Sequence, residues 1–225
     1  MSFFVLRTAT FSIFFMLALF FAVMAGSAIA TESTAPPLDR QTLIKKLQNG
    51  GNVLIIRHER TEVPSRSDDY SKDPDDCTAQ RNLSIAGAAG AQETGVVLRA
   101  LDIEVDRVFT SPMCRSAETA RYMFGVDYEE ETSLMHHEPG GPRTLDIAEQ
   151  EVRGFLANLA PDLGETNIAL VTHGGTVFRV SGLRLSEGEI AVLRLGDEGD
   201  VTVIGHFMGS DLAPYARQAL EKSIK

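Results

Sequence analysis

The chain has 225 residues, of which 31 are acidic and 21 basic, giving a net charge of −10. Such a surface repels nucleic acid and anionic membrane faces, so both are excluded as partners, and an anionic substrate needs a local positive pocket. Internal repeats and low-complexity tracts are absent.

Residues 1–30 read as an export signal. Arg7 carries the only side-chain charge there, residues 11–24 are apolar apart from Ser12, and Ala28-Ile29-Ala30 has the small-x-small spacing of a signal-peptidase site. An uncleaved anchor is the alternative, because residues 9–30 are about long enough to span a bilayer. In either case the remainder is expected outside the cytoplasm, periplasmic or secreted, with a membrane touched only through this segment. Without it the chain keeps 20 basic and 31 acidic residues, a net charge of −11. A polar tether, residues 31–37, then leads into a single domain, residues 38–225, large enough for a hydrophobic core.

Asp39 is placed to cap a helix ending near Gln48, with Gly50-Gly51 as its stop. Asn52 to Ile56 follows with four consecutive branched apolar residues, the pattern of a strand buried on both faces, and ends abruptly in Arg57 and His58. Residues 61–81 form a long polar loop with Pro64, Pro74 and the acidic group Asp73, Asp75 and Asp76; a loop of that length usually borders a functional site. Ser84 caps the next helix, whose expected buried stripe is Ala88, Ala91, Gly95, Leu98 and Leu101. Residues 106–110 read as a strand, broken by Ser111-Pro112 before a helix from Ser116 to Phe124, which Gly125 stops. Residues 126–128 suggest a short edge strand.

Residues 134–142 are a loop with two histidines and Glu138. A helix spans residues 144–159, presenting Ile147, Val152, Phe155 and Leu159 to the core, and Pro161 ends it. Asn167–Thr172 is a second apolar strand ending in a histidine, His173, followed by Gly174-Gly175 and a short helix near Val177. Ile190–Leu195 and Val201–Phe207 alternate as a hairpin, and a helix from Leu212 to Glu221 closes the domain. Strands alternating with helices predict a three-layer α/β sandwich with a mostly parallel central sheet. In such sheets ligands collect beyond the carboxyl ends of the strands, where Arg57, His58 and His173 fall.

Cys77 and Cys114 are the only cysteines. In an oxidising compartment a disulfide between them is expected to pin the segment before Gln80 to the loop carrying Arg115; two free buried thiols are the alternative.

Cleaving a phosphate ester by a covalent route needs an uncharged nucleophilic nitrogen, fixed cations around the transferred oxygens, and a proton donor for the leaving alcohol. His58 is the candidate nucleophile. Arg57 and Arg115 offer planar, permanently charged forks, His173 a further hydrogen bond, and the helix start after Arg115 its backbone N–H groups. Read singly, Arg57 is a salt-bridged strand end and His58 a turn residue; the four together make the site. His136 and His137 read as a solvated loop, since no third ligand stands at zinc spacing, and His206 as a partly exposed sheet residue.

Val53-Leu54-Ile55-Ile56-Arg57-His58-x-x-Thr61, Arg81-Asn82-Leu83-Ser84-x-x-Gly87, Thr110-Ser111-Pro112-x-x-Arg115-Ser116-x-Glu118-Thr119-Ala120 and Val171-Thr172-His173-Gly174-Gly175 together resemble the successive motifs of the histidine phosphatase superfamily, also called phosphoglycerate mutase-like. The resemblance implies that fold, a phosphohistidine intermediate on His58, a pocket of Arg57, Arg115 and His173 with Thr61 and Gly174 as further substrate contacts, and no cofactor or metal. It also implies a small phosphorylated substrate, with envelope or scavenged phosphoesters suiting an exported chain. The family usually has a small residue directly after the nucleophile, whereas Glu59 stands here, where a carboxylate is expected to weaken phosphate binding or tune the imidazole. Gly174 after the second histidine departs from the family's acid-phosphatase branch. Glu138 is the candidate general acid, with Asp75, Asp76, Glu129, Glu130 and Glu131 as alternatives. A non-catalytic phosphate-binding or sensory module is the competing reading.

Overall fold

The computed structural model describes residues 38–63, 67–125, 127–138, 141–196 and 199–224; the expected export segment and tether lie outside them. Among the described residues no helix is long and apolar enough to cross a membrane.

Six strands form one sheet: β1 (Val53–Arg57), β2 (Val105–Thr110), β3 (Glu129–Glu130), β4 (Asn167–Thr172), β5 (Ile190–Leu195) and β6 (Val201–Phe207), in the order β3-β2-β4-β1-β5-β6. The first four run parallel; β5 pairs antiparallel with β1 and with β6. Because side chains alternate along a strand, the apolar run of β1 serves two cores. Leu54 and Ile56 pack with α1 (Arg40–Gln48), α2 (Ile85–Ala100), α3 (Cys114–Phe124) and α6 (Gly209–Ser223). Val53 and Ile55 pack on the other face with α4 (Leu145–Leu159) and α5 (Gly174–Ser181). This is the α/β sandwich that the alternating elements predict.

At the amino ends of β1 and β4, buried Asn52 donates to Asn167 Oδ1 at 2.9 Å, while Asn167 donates to the carbonyls of Leu47 and Glu104. These ties set the register Val53↔Ile168 through Arg57↔Thr172, so both strands end at the same level.

Several boundaries differ from expectation. Helix α3 begins at Cys114 rather than Ser116, because Gln80 Oε1 reaches across to accept the Cys114 N–H at 3.1 Å and replaces a local cap. Arg115 and Cys114 therefore stand on a helix, not a loop. The edge strand is Glu129–Glu130, pairing with Phe109 and Thr110 and tied by Glu129 to Arg107, rather than residues 126–128; Val126 lies outside the described residues. On α2 the buried stripe is Gly87, Gly90, Ala91, Thr94, Gly95 and Leu98, with Ala88 only half-buried, since two glycines face the chain leaving β1. On α4 it is Ala148, Val152, Leu156 and Leu159, with Ile147 42% exposed and Phe155 half-buried edge-on to Phe109. Helix α6 starts at Gly209, three residues early, because Asp211 accepts the Met208 N–H.

The polar segment after β1 is tied down. Thr61 bridges Leu83, Cys77–Ala79 forms a turn of 3₁₀ helix, and a Cys77–Cys114 disulfide fastens it to the start of α3.

Candidate active site

The parallel pairing of β1 and β4 brings their terminal histidines together. The His58 N–H donates to the Thr172 carbonyl at 2.8 Å, extending the ladder one residue past β1, and the His58 and His173 rings meet edge to face with centroids 5.4 Å apart. Both side chains belong to the lining of a cavity of about 480 Å³ at the carboxyl ends of the strands, and each residue is almost wholly buried.

A hydrogen bond to a carbonyl assigns the tautomer of His58. His58 Nδ1 lies 2.8 Å from the Glu59 carbonyl, which can only accept, so Nδ1 carries the proton and Nε2 keeps its lone pair. Burial first, then the charges of Arg115, Arg57 and Arg81, push the His58 pKa down to about 3, against a smaller opposing effect of that carbonyl. The imidazole is therefore neutral and nucleophilic at ordinary pH. His173 Nε2 lies 2.9 Å from Ser111 Oγ, which itself accepts the Met113 N–H. Ser116 Oγ stands 3.5 Å from the same Nε2, while His173 Nδ1 is a buried atom without a partner. Burial and Arg115 hold the His173 pKa well below its usual range.

Among the expected site residues, Arg57, His58, His173 and Gly174 line the cavity. Arg57 is held by the Leu185 carbonyl at 2.8 Å, and its Nε is buried with no partner. Gly174 leaves it room: a Cβ there would lie 3.2 Å from that Nε. Arg115 is placed differently. It is 1% exposed, stands behind the lining, and gives both Nη atoms to Asp68, at 3.0 and 3.1 Å. Thr61 is buried beside Glu187, outside the lining. Glu138 also stands outside it, with its carboxylate folded onto its own turn near Gly141. Of the alternative acids, Asp76 caps the 3₁₀ turn, Glu129 pairs with Arg107 and Glu131 caps residues 132–134. No carboxylate lines the cavity among the described residues.

Arg81 and His136 are among the cavity residues to which the sequence assigns no site role. Arg81 lines it with a buried, unpartnered Nε; its place at the head of the second motif was the available signal. His136 does so too, its ring 5.6 Å from that of His173, rather than sitting on a solvated loop. Nothing in the local pattern marks it, because only the packing of residues 132–138 beside β4 brings it there.

Glu59 turns away from the cavity. Its carboxylate is 3% exposed and pairs with Arg60 at 3.3 Å; a Cβ on Gly90 or Gly188 would press on it at 2.6 or 2.4 Å. Burial raises its pKa. Two glycines thus make a slot that takes the carboxylate out of the path of an anionic ligand, while the backbone carbonyl orients His58. His206 is partly exposed on β6, with Nδ1 2.7 Å from Glu189.

No family model and no curated protein matches the sequence. Solved structures do match the fold. The protein histidine phosphatase SixA complexed with tungstate superposes with a TM-score of 0.51 at 17% identity, covering 72% of this chain and 99% of that one. The α-ribazole phosphatase of Shigella flexneri gives 0.53 at 19% identity over 68% of this chain and 94% of its own. The phosphoserine phosphatase of Entamoeba histolytica, in complex with 3-phosphoglyceric acid, gives 0.52 at 14%, over 69% and 95%. The chain therefore has the phosphoglycerate mutase-like fold of the histidine phosphatases.

Proposed function

We propose that the chain is an exported phosphomonoesterase that passes the phosphoryl group of a small phosphate ester to His58 and then to water. The observation that carries this reading is His58 itself: a buried neutral imidazole, with Nδ1 tied to a carbonyl, set edge-on to His173 in a cavity lined by arginines and, among the described residues, free of carboxylates. The Nε2 lone pair attacks phosphorus, the bond to the leaving oxygen breaks, and water then displaces Nε2. The unpartnered Nε–H groups of Arg57 and Arg81 are donors for the phosphoryl oxygens, joined by the unpartnered Nδ1 of His173 when it carries the ring proton. Arg115 joins them once Asp68 yields. Glu138, two residues from cavity-lining His136, is the proposed proton donor to the leaving oxygen. Gly174 borders the bound ester through its backbone. The named activities of the structural neighbours, on protein histidine, α-ribazole and phosphoserine, differ in leaving group, so they support the reaction class and not a substrate.

The test is phosphate release from an aryl phosphate together with isotopic labelling. His58→Ala should lower turnover by at least about 10³-fold, or about 4 kcal/mol of barrier, and remove an acid-labile, base-stable phosphoryl adduct; retained turnover overturns the reading. The Asp68 carboxylate seated in the Arg115 fork favours a second reading, a phosphate-binding module, which predicts saturable binding with neither turnover nor adduct.

A further inference from the structure

The cavity has a floor and a rim of different chemistry. The floor holds buried His58 and His173 with Arg57, Arg81 and, beside Arg57, buried Leu185; the rim is apolar, made by Leu145 at the start of α4, 42% exposed, and half-buried Phe178 on α5. Two further arginines reach this rim. Arg179 is already neutralised by Asp146 and by Glu149 at 3.1 Å. Arg184 is exposed, has no carboxylate partner among the described residues, and lies over the Phe178 ring with its guanidinium carbon 4.3 Å from the centroid. Stacking on an aromatic face orients a guanidinium and leaves its in-plane donors open. A cavity of about 480 Å³ takes a whole small molecule, not a phosphoryl group alone.

We propose that Arg184, held by Phe178, is a second anion-recognition site, and that the substrate class is phosphomonoesters bearing a further carboxylate or phosphate at the end remote from the scissile group. This rests on the phosphomonoesterase reading of the floor. The span is set by α5: from Gly174, beside Arg57, to Phe178 the helix rises about 6 Å, so the tail lies along Leu145 and Leu185 and its charge meets Arg184 at the mouth. In a chain of net charge −10, Arg81 and Arg184 on one cavity, with Arg57 shared with Glu187 at 3.6 Å, concentrate such doubly anionic ligands there.

The test is calorimetric binding to the full-length His58→Ala protein, so that no turnover is needed. The probes are 3-phosphoglycerate, 4-phosphoerythronate and 6-phosphogluconate, each against the phosphorylated sugar alcohol of the same length. At least one acid should bind about tenfold tighter than its alcohol, about 1.4 kcal/mol. That ratio should fall to within about twofold of unity when Arg184→Gln is added, and likewise with Phe178→Leu, which removes the stacking face. Ratios near unity for every length, or a preference that survives Arg184→Gln, overturn the proposal. Phosphate release by the wild-type protein from the same compounds separately decides the phosphomonoesterase reading, whatever the binding ratios.

Discussion

Asp68 grips Arg115 with both carboxylate oxygens, Oδ1 on Nη1 at 3.0 Å and Oδ2 on Nη2 at 3.1 Å, while Oδ1 also accepts the Arg81 N–H at 2.9 Å. A carboxylate on a guanidinium fork has the geometry of two phosphate oxygens. Any phosphate that Arg115 binds must therefore displace it. Asp68→Asn should tighten tungstate or inorganic phosphate binding about tenfold, a gain of about 1.4 kcal/mol, and should lower stability by about 2 kcal/mol, less than the ~3–5 kcal/mol of removing a buried ion's partner outright. Calorimetric titration and urea unfolding measure the two effects. Unchanged or weaker anion binding would make Asp68 a positioning residue for Arg115 instead of its competitor.

Glu59 sits in its glycine slot with a raised pKa, so Glu59→Gln should leave kcat/KM within a factor of about 3, under about 0.7 kcal/mol of barrier. The sign of its effect on stability follows from linkage. A carboxyl whose folded pKa lies above its ordinary value adds stability below that ordinary value and loses it as pH rises through the folded pKa. The glutamine variant should therefore melt higher than wild type at neutral pH, and the difference should vanish in acid. Melting curves at both pH values check it; a large drop in kcat/KM would put the carboxylate in the site after all.

The disulfide closes a segment of 37 residues, which in the chain-entropy account is worth about 4 kcal/mol. Reduction, or Cys77→Ala with Cys114→Ala, should lower Tm by about 8–16 °C for a domain of this size. It should also weaken anion binding, since Cys114 is the neighbour of Arg115 and the bridge anchors the segment that carries Asp68. Scanning calorimetry with and without reductant reads the first effect; an unchanged Tm would mean that the bridge constrains nothing.

His58 with a pKa of about 3 should remain neutral, with its proton on Nδ1, throughout the range where an ordinary histidine near 6.5 titrates. A base depressed in this way adds stability that is complete above about pH 6.5 and lost as pH falls toward 3. Nitrogen chemical shifts of labelled histidines should show His58 unprotonated at pH 5, and acid unfolding should be gentler in His58→Gln than in wild type. A His58 titration midpoint near 6.5 would remove the basis for its nucleophilicity.

The element types and the chemistry at their ends were legible locally. Four apolar residues in a row before Arg57-His58 require a strand buried on both faces. Ser84 and Asp39 require helix starts. The motif residues Arg57, His58, His173 and Gly174 fall together because strand ends are set by composition and the parallel register brings those ends level. What only the tertiary structure decided are contacts between elements far apart in the chain: Asp68 on Arg115, Gln80 capping α3, and His136 beside His173. Periodicity and capping depend on residues within a turn or two of one another, so they can be read from sequence. Which carboxylate reaches a buried guanidinium, and which way Glu59 turns, depend on the space left when sheet and helices close together, and no local pattern encodes that space.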